Sequence, residues 1–213
     1  MTSTRSRRSR TRPLARKTRW GAASPSTDEE CRQLIVQAAA SCFDSDGPMR
    51  ATIDDIARVA SVHRTTVYKY FANRPEIISA VLLWEANDLI TEATAIYDSP
   101  GPFEERFLAA FGHVVDGVRQ SRFLRRLFDP EAVDAVINAT GASHDFRERV
   151  SMSLHHPVAQ AAELGELRPD LDIEEVVQWL GSISLLLLGE SFRNETFDAV
   201  EAMKRYILPG ITA

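Results

Sequence analysis

Arg64, Thr65, Thr66, Tyr68 and Lys69 put five hydrogen-bond donors into six consecutive residues, with His63 before them and Tyr70 after. Arginine and lysine bind guanine acceptors or phosphate oxygens, threonine meets several base edges, and tyrosine reaches the sugar-phosphate backbone. Val67 and Phe71, four apart, mark the inward side of a short helix that would carry those donors outward. Such a helix fits a DNA major groove. The plainer alternative is an αα-hairpin within a helical core, but Arg64, Thr65, Thr66, Tyr68 and Lys69 are too polar for a core.

The elements that position this array are written just upstream and downstream. Thr52 and Asp55 form a capping box, the hydroxyl taking the Asp55 amide while the carboxylate reaches back. Ile53, Ile56, Ala57 and Ala60 then recur on one helical face. Ser61 and Val62 make a tight turn, with Val62 as its apolar plug, and a second helix runs from about His63 to Tyr70. Asn73 with Glu76 reads as another capping box with Pro75 in the first turn. The helix it opens is expected to continue to about Tyr97 as one rod. Upstream, Thr27 with Glu30 caps a first helix that runs to about Phe43.

Thr52, Ile56-Ala57, Ala60-Ser61-Val62, Thr66 through Phe71, Asn73-Arg74 and Glu76-Ile77 together resemble the helix-turn-helix signature of the tetracycline-repressor (TetR) family. The pattern covers roughly residues 31 to 78. The chain departs from it at Ser61, where a turn glycine is usual, at Thr65 in place of a small residue, at Tyr70 for histidine and at Arg74 for lysine. The resemblance implies an all-α protein with an N-terminal three-helix DNA-binding domain (28–78) and a C-terminal helical ligand-binding and dimerisation domain (79–213). It implies a homodimer on a palindromic operator of double-stranded DNA, acting as a repressor released by a small-molecule effector. Base contact is expected from Arg64, Thr65, Thr66 and Lys69. Phosphate contact is expected from Tyr68, Tyr70, Arg74 and the amide end of the helix opened at Asn73, with Thr52 and His63 completing the DNA-contacting set. An activator of the same fold remains open, as does a helical small-molecule-binding protein or enzyme with a vestigial helix-turn-helix.

Charge divides the chain. The net charge is −5, yet residues 1–27 hold eight Arg or Lys and no acid. The remaining 17 basic residues face 30 acidic ones, so residues 28–213 sum to −13. Residues 83–213 alone hold 11 basic against 22 acidic, which turns that half away from DNA. The basic arm is low in apolar content and is expected to be disordered when free. Its readings are a tail for extra phosphates or a neighbouring minor groove, a solvated leader, a misassigned start, or, on its Arg- and Ser-rich composition, a transit peptide. It lacks the apolar stretch of a secretory signal, and the protein is placed in the cytoplasm.

Cys31 and Cys42 lie eleven positions apart on one helix, roughly 16 Å and beyond disulfide reach. They read as buried small hydrophobes.

Beyond residue 97 nothing reads as a strand. Ser99-Pro-Gly-Pro102 is a break; helices follow over 103–119, 121–128, 130–139, 144–164 (disturbed by Pro157), 173–192 and 195–206. Trp179 to Leu188 is almost continuously apolar but too short to span a bilayer, so no membrane partner is expected. The resemblance makes the last two long helices a dimer interface, which points to Val158, Ala162, Val177, Gly181, Ser184 and Leu188. Catalytic constellations are missing: no Gly-rich phosphate loop, no H-E-x-x-H and no nucleophile elbow. Adjacent His155 and His156 diverge on a helix and share no metal by spacing. No enzyme activity, metal or cofactor is expected. An effector pocket, implied mainly by the resemblance, is assigned to the aromatics Trp84, Phe107, Phe111, Phe123, Phe128 and Trp179, with His113 and His155 as polar groups.

Overall fold

Side chains three residues apart set the first helix starts, as their spacing predicts. In the computed structural model, which describes residues 27–213, Thr27 Oγ1 accepts the Glu30 amide at 3.1 Å and Glu30 reaches back to the Thr27 amide at 3.3 Å, opening α1 (Asp28–Asp46). Thr52 and Asp55 repeat the arrangement at α2 (Ile53–Val59). The Asp55 carboxyl is pushed down from 3.8 to about 2, first by the Thr52 hydroxyl and then by Arg58. A depressed carboxyl stabilises the fold above 3.8, and this contribution is lost as pH falls towards 2.

α3 (Arg64–Tyr70) follows the turn, and α4 (Arg74–Glu85) starts at Asn73, whose side chain accepts the Glu76 amide at 3.0 Å. Glu76 reaches one residue further back than a capping box requires, taking the Ala72 amide at 2.8 Å. Ser61 in the turn has φ of 54°, the left-handed region that disfavours a side chain. Ser61→Gly is expected to raise unfolding free energy by up to about 1 kcal/mol, measured by urea denaturation.

The expected rod from 74 to 97 is two helices. α4 stops at Glu85 and α5 (Asn87–Tyr97) begins after Ala86, whose φ of −90° and ψ of 0° form a one-residue joint. Hydrogen bonds from Ala86 to Leu82 and from Ile90 to Ala86, both 2.9 Å, keep the joint tight. Neither Gly nor Pro marks it.

α6 (Phe103–Gln120), α7 (Arg122–Leu127) and α8 (Val133–Ala142) lead to α9 (His144–Glu163), which runs on through a buried Pro157 rather than breaking there. α10 (Ile173–Arg193) and a short α11 (Ala199–Ala202) follow; the expected last helix keeps α-geometry only over those four residues before widening and tightening towards Gly210. No strand occurs among the described residues; an isolated pairing of Leu167 with Thr212 holds the C-terminus. Ile35, Ile56, Val67, Phe71 and Ile77 are fully buried around the first four helices. α4 packs on α1 and also on α8, while α5, α6, α9 and α10 pack together beyond the joint. Cys31 and Cys42 are buried and unpaired.

Candidate nucleic-acid interface

Val67 and Phe71 are buried in the first core, and that anchoring turns the opposite side of α3 to solvent. His63, Arg64, Thr65, Tyr68 and Lys69 are exposed there. Arg64 Nη1 donates to Asp54 Oδ2 at 2.9 Å and its Nη2 to Tyr68 Oη at 3.2 Å, with the guanidinium 5.5 Å from the Tyr68 ring centre. Lys69 Nζ donates to Asp28 Oδ1 at 3.0 Å, and Tyr70 Oη donates to the same oxygen at 2.7 Å. The Tyr70 hydroxyl is pushed up to about 12 by its contact with the Cys31 thiol, by burial and by Asp28. Two carboxylates thus hold the cations of α3 in outward-facing positions. Exposed ion pairs of this kind are weak, so phosphate or base acceptors can replace them.

Four expected contacts stand differently. Thr66 is buried, four residues before half-buried Tyr70 and beside Val67, and its hydroxyl has no partner among the described residues. It belongs to the inward side, not to the bases. Thr66→Val is expected to leave operator affinity unchanged and to raise stability by about 1 kcal/mol, since an unsatisfied buried hydroxyl is removed; a band shift and a urea melt read the two. The Thr52 hydroxyl is committed to its cap, accepting the Asp55 amide at 3.1 Å and donating to Asp55 Oδ2 at 2.6 Å. Arg74 is half-buried and donates to the Pro48 carbonyl, bracing the loop between α1 and α2. At the start of α4 the Glu76 amide already donates to Asn73 Oδ1, and the Glu76 carboxylate sits beside it, accepting the Ala72 amide. Asp54 and Asp28 are the residues that sequence reasoning missed; ten and 41 positions from their partners, they leave no local signal.

A two-helix unit with an exposed cationic reading face is a fold with many users, and comparison with known proteins separates them. The family model described as "Bacterial regulatory proteins, tetR family" matches residues 35–81, which include α2, the turn and α3. The HTH-type transcriptional regulator SrpR of Pseudomonas putida is 27% identical over 171 residues, 78% of each chain. TtgR of the same species is 28% identical over 156 residues, 68% of this chain and 72% of TtgR. Residues 35–81 carry a TetR-family DNA-binding region. The chain is a DNA-binding transcriptional regulator, and its relatives are regulators rather than enzymes. The structure of the R. erythropolis transcriptional repressor QsdR shares the fold beyond the reading unit, with a TM-score of 0.68 at 20% identity, covering 88% of this chain and 98% of QsdR.

Beyond that region, the aromatics expected to line an effector pocket do not gather in one place. Trp84 and Trp179 are nearly half exposed, at 46% and 45%. Phe107 packs against Tyr97 and Phe103, and Phe128 stacks on Phe192. Phe123 lies half-buried beside Trp84 on an open groove. His113 pairs with Glu92 at 2.8 Å and His155 with Glu174 at 2.9 Å, both at the surface. Among the expected residues only Phe111 lines the cavity between α5, α6, α9 and α10.

The expected interface residues separate as well. Val158, Val177 and Leu188 are buried within the protomer, and Ser184, Leu188 and Gly181 line that cavity. Small residues on α10 do permit close approach, but to α9 of the same chain: a Cβ on Gly181 would lie 2.8 Å from Val150 Cγ1. Of the six, Ala162 remains half-buried against the core. No helix among the described residues is long and apolar enough to cross a membrane.

Proposed function

We propose that this regulator works in the cytoplasm as a homodimeric repressor that reads a palindromic operator with α3 and lets go when a small molecule enters its helical core. The single observation that carries DNA reading is the exposed face of His63, Arg64, Thr65, Tyr68 and Lys69 above buried Val67 and Phe71. Two such faces in a dimer would enter successive major grooves about 34 Å apart. Residues 28–78 form the reading unit and 79–213 the effector and dimer unit, with residues 1–26 of the basic arm outside the described residues. Because Asp28 touches Lys69 and Tyr70, the arm joins the chain beside the end of α3, where its cations would meet nearby phosphates.

The cavity is bounded partly by α5, which continues from α4 through the Ala86 joint, and α4 packs on α1. A ligand that shifts α5 would therefore move the reading unit. Couplings between such sites run about 1–3 kcal/mol, which weakens DNA binding roughly 5- to 150-fold.

Arg64→Ala is the test of the reading face. It is expected to lose roughly 5- to 150-fold on the selected operator while relaxing preference at one base pair, read by fluorescence anisotropy on operator and random duplexes. Equal losses on both would move Arg64 to the backbone.

A further inference from the structure

The partly open cavity between α5, α6, α9 and α10 says what kind of molecule it takes. It measures about 110 Å³ and is walled by Ala93, Phe111, Leu154 and Leu188 among other apolar groups, with no Asp, Glu, Lys, Arg or His in its lining. A charged ligand would lose its hydration there and find no counter-charge. Two hydroxyls, those of Tyr97 and Ser184, interrupt the apolar wall, and neither has a hydrogen-bond partner among the described residues. A third, on Ser153, is spent on the Val150 carbonyl at 2.8 Å. Burial pushes the Tyr97 phenol well above its ordinary range, so it stays a neutral donor. Tyr97 is buried on α5 and Ser184 half-buried on α10, and both line the same space.

We infer that the cavity takes an uncharged, mostly apolar molecule of about one ring, held at one end by a hydroxyl or carbonyl oxygen that engages Tyr97 and Ser184. The ligand class rests on the effector reading above and narrows it. Size follows from volume: an apolar cavity of about 150 Å³ accommodates benzene, so this smaller space of about 110 Å³ takes at most one ring. Room for a slightly larger body lies behind Phe146 and Val150, which also border a second cavity of about 110 Å³. That adjoining space is lined in part by Arg147 and Gln178, so a polar substituent would meet them there while the ring stays in the first cavity.

The test titrates the full-length protein by calorimetry with phenol, benzyl alcohol and cyclohexanone, and with benzoate and benzylamine as charged counterparts of similar size. The uncharged three should bind, and the charged two should bind at least about tenfold more weakly. Tyr97→Phe should weaken the oxygenated probes by about five- to tenfold and leave toluene unchanged. Ala93→Leu, which fills the space, should remove binding of all of them; Ser184→Leu does the same from the opposite wall should Ala93→Leu fail to fold. Equal binding of benzoate, no binding of any uncharged probe at its solubility limit, or unaltered binding in both filled variants would overturn the assignment. Operator affinity is read alongside. Uncharged probes that bind yet leave it unchanged would sink the release reading and keep the ligand class. Release by benzoate alone would do the opposite.

Discussion

On the homodimer proposed above, arginine in place of Leu186 is expected to leave a monomer and to lower apparent operator affinity by about 10²- to 10⁴-fold, the loss that follows when two linked half-site contacts become independent. The apolar residues that α10 leaves uncovered are Trp179 and Leu186, at 45% and 48% exposure, with Ser182 between them at helical spacing. Half-buried Ile183 borders the same stripe, and exposed Leu164 ends the adjoining α9. Large exposed side chains grouped this way mark a contact surface more than scattered ones do. Val158, Val177 and Leu188 are buried in the chain's own core, so on the proposed dimer this stripe is the part of α10 left to meet a second copy. A guanidinium at position 186 would have to be desolvated against the same charge across a two-fold axis, so the cost is counted twice in each dimer. Sedimentation at micromolar concentration should show the monomer, with the far-ultraviolet helix signal intact. A variant that still sediments as a dimer, or that keeps its operator affinity, would move the interface elsewhere.

The parts of this molecule legible in its sequence are those whose cause is local. Thr27 with Glu30 and Thr52 with Asp55 satisfy their helix ends over three residues, and the turn at Ser61 takes the strained backbone that its place between two short helices demands. The outward face of α3 was legible for the same reason, except at Thr66. Its threonine chemistry suits either side of a helix; its neighbours Val67 and Tyr70 decided the side. The Ala86 joint had no signal at all, because an alanine between Glu85 and Asn87 is as good a helix former as any. Gly181 and Ser184 were legible as a place of close approach but not as to what approaches. That depends on whether α9 of the same chain or α10 of another fills the gap, which is a property of tertiary packing. The effector aromatics failed on the same ground: aromatic residues recur on every helix of the second unit, and only the packed arrangement shows that Phe111 and Tyr97 meet at a cavity while Phe107 and Phe128 stack into solid core.

Arg106→Leu is expected to destabilise the fold by about 3–5 kcal/mol, the usual result of removing one member of a buried charged network. Arg106 is 5% exposed on α6 and donates through Nη1 to the Tyr97 carbonyl at 2.7 Å and to Gln160 Oε1 at 2.8 Å. Its Nη2 lies 3.8 Å from Glu166 Oε2, the oxygen that accepts the Phe103 amide at 3.1 Å. One guanidinium therefore ties the end of α5, the start of α6, the body of α9 and the loop after it. Leucine would leave the Tyr97 carbonyl and the Gln160 amide oxygen without that donor in a place water reaches poorly. Lysine keeps the charge but not the fork, so Arg106→Lys should recover only part of the loss. Urea denaturation gives both values, and a loss below about 1 kcal/mol for the leucine variant would mean the site rehydrates freely. The functional consequence separates stability from control: Tyr97 is held by this network at its backbone and lines the cavity with its ring. Loosening Arg106 should therefore weaken probe binding at temperatures well below the unfolding midpoint, while isolated α3 contacts with DNA stay as they were.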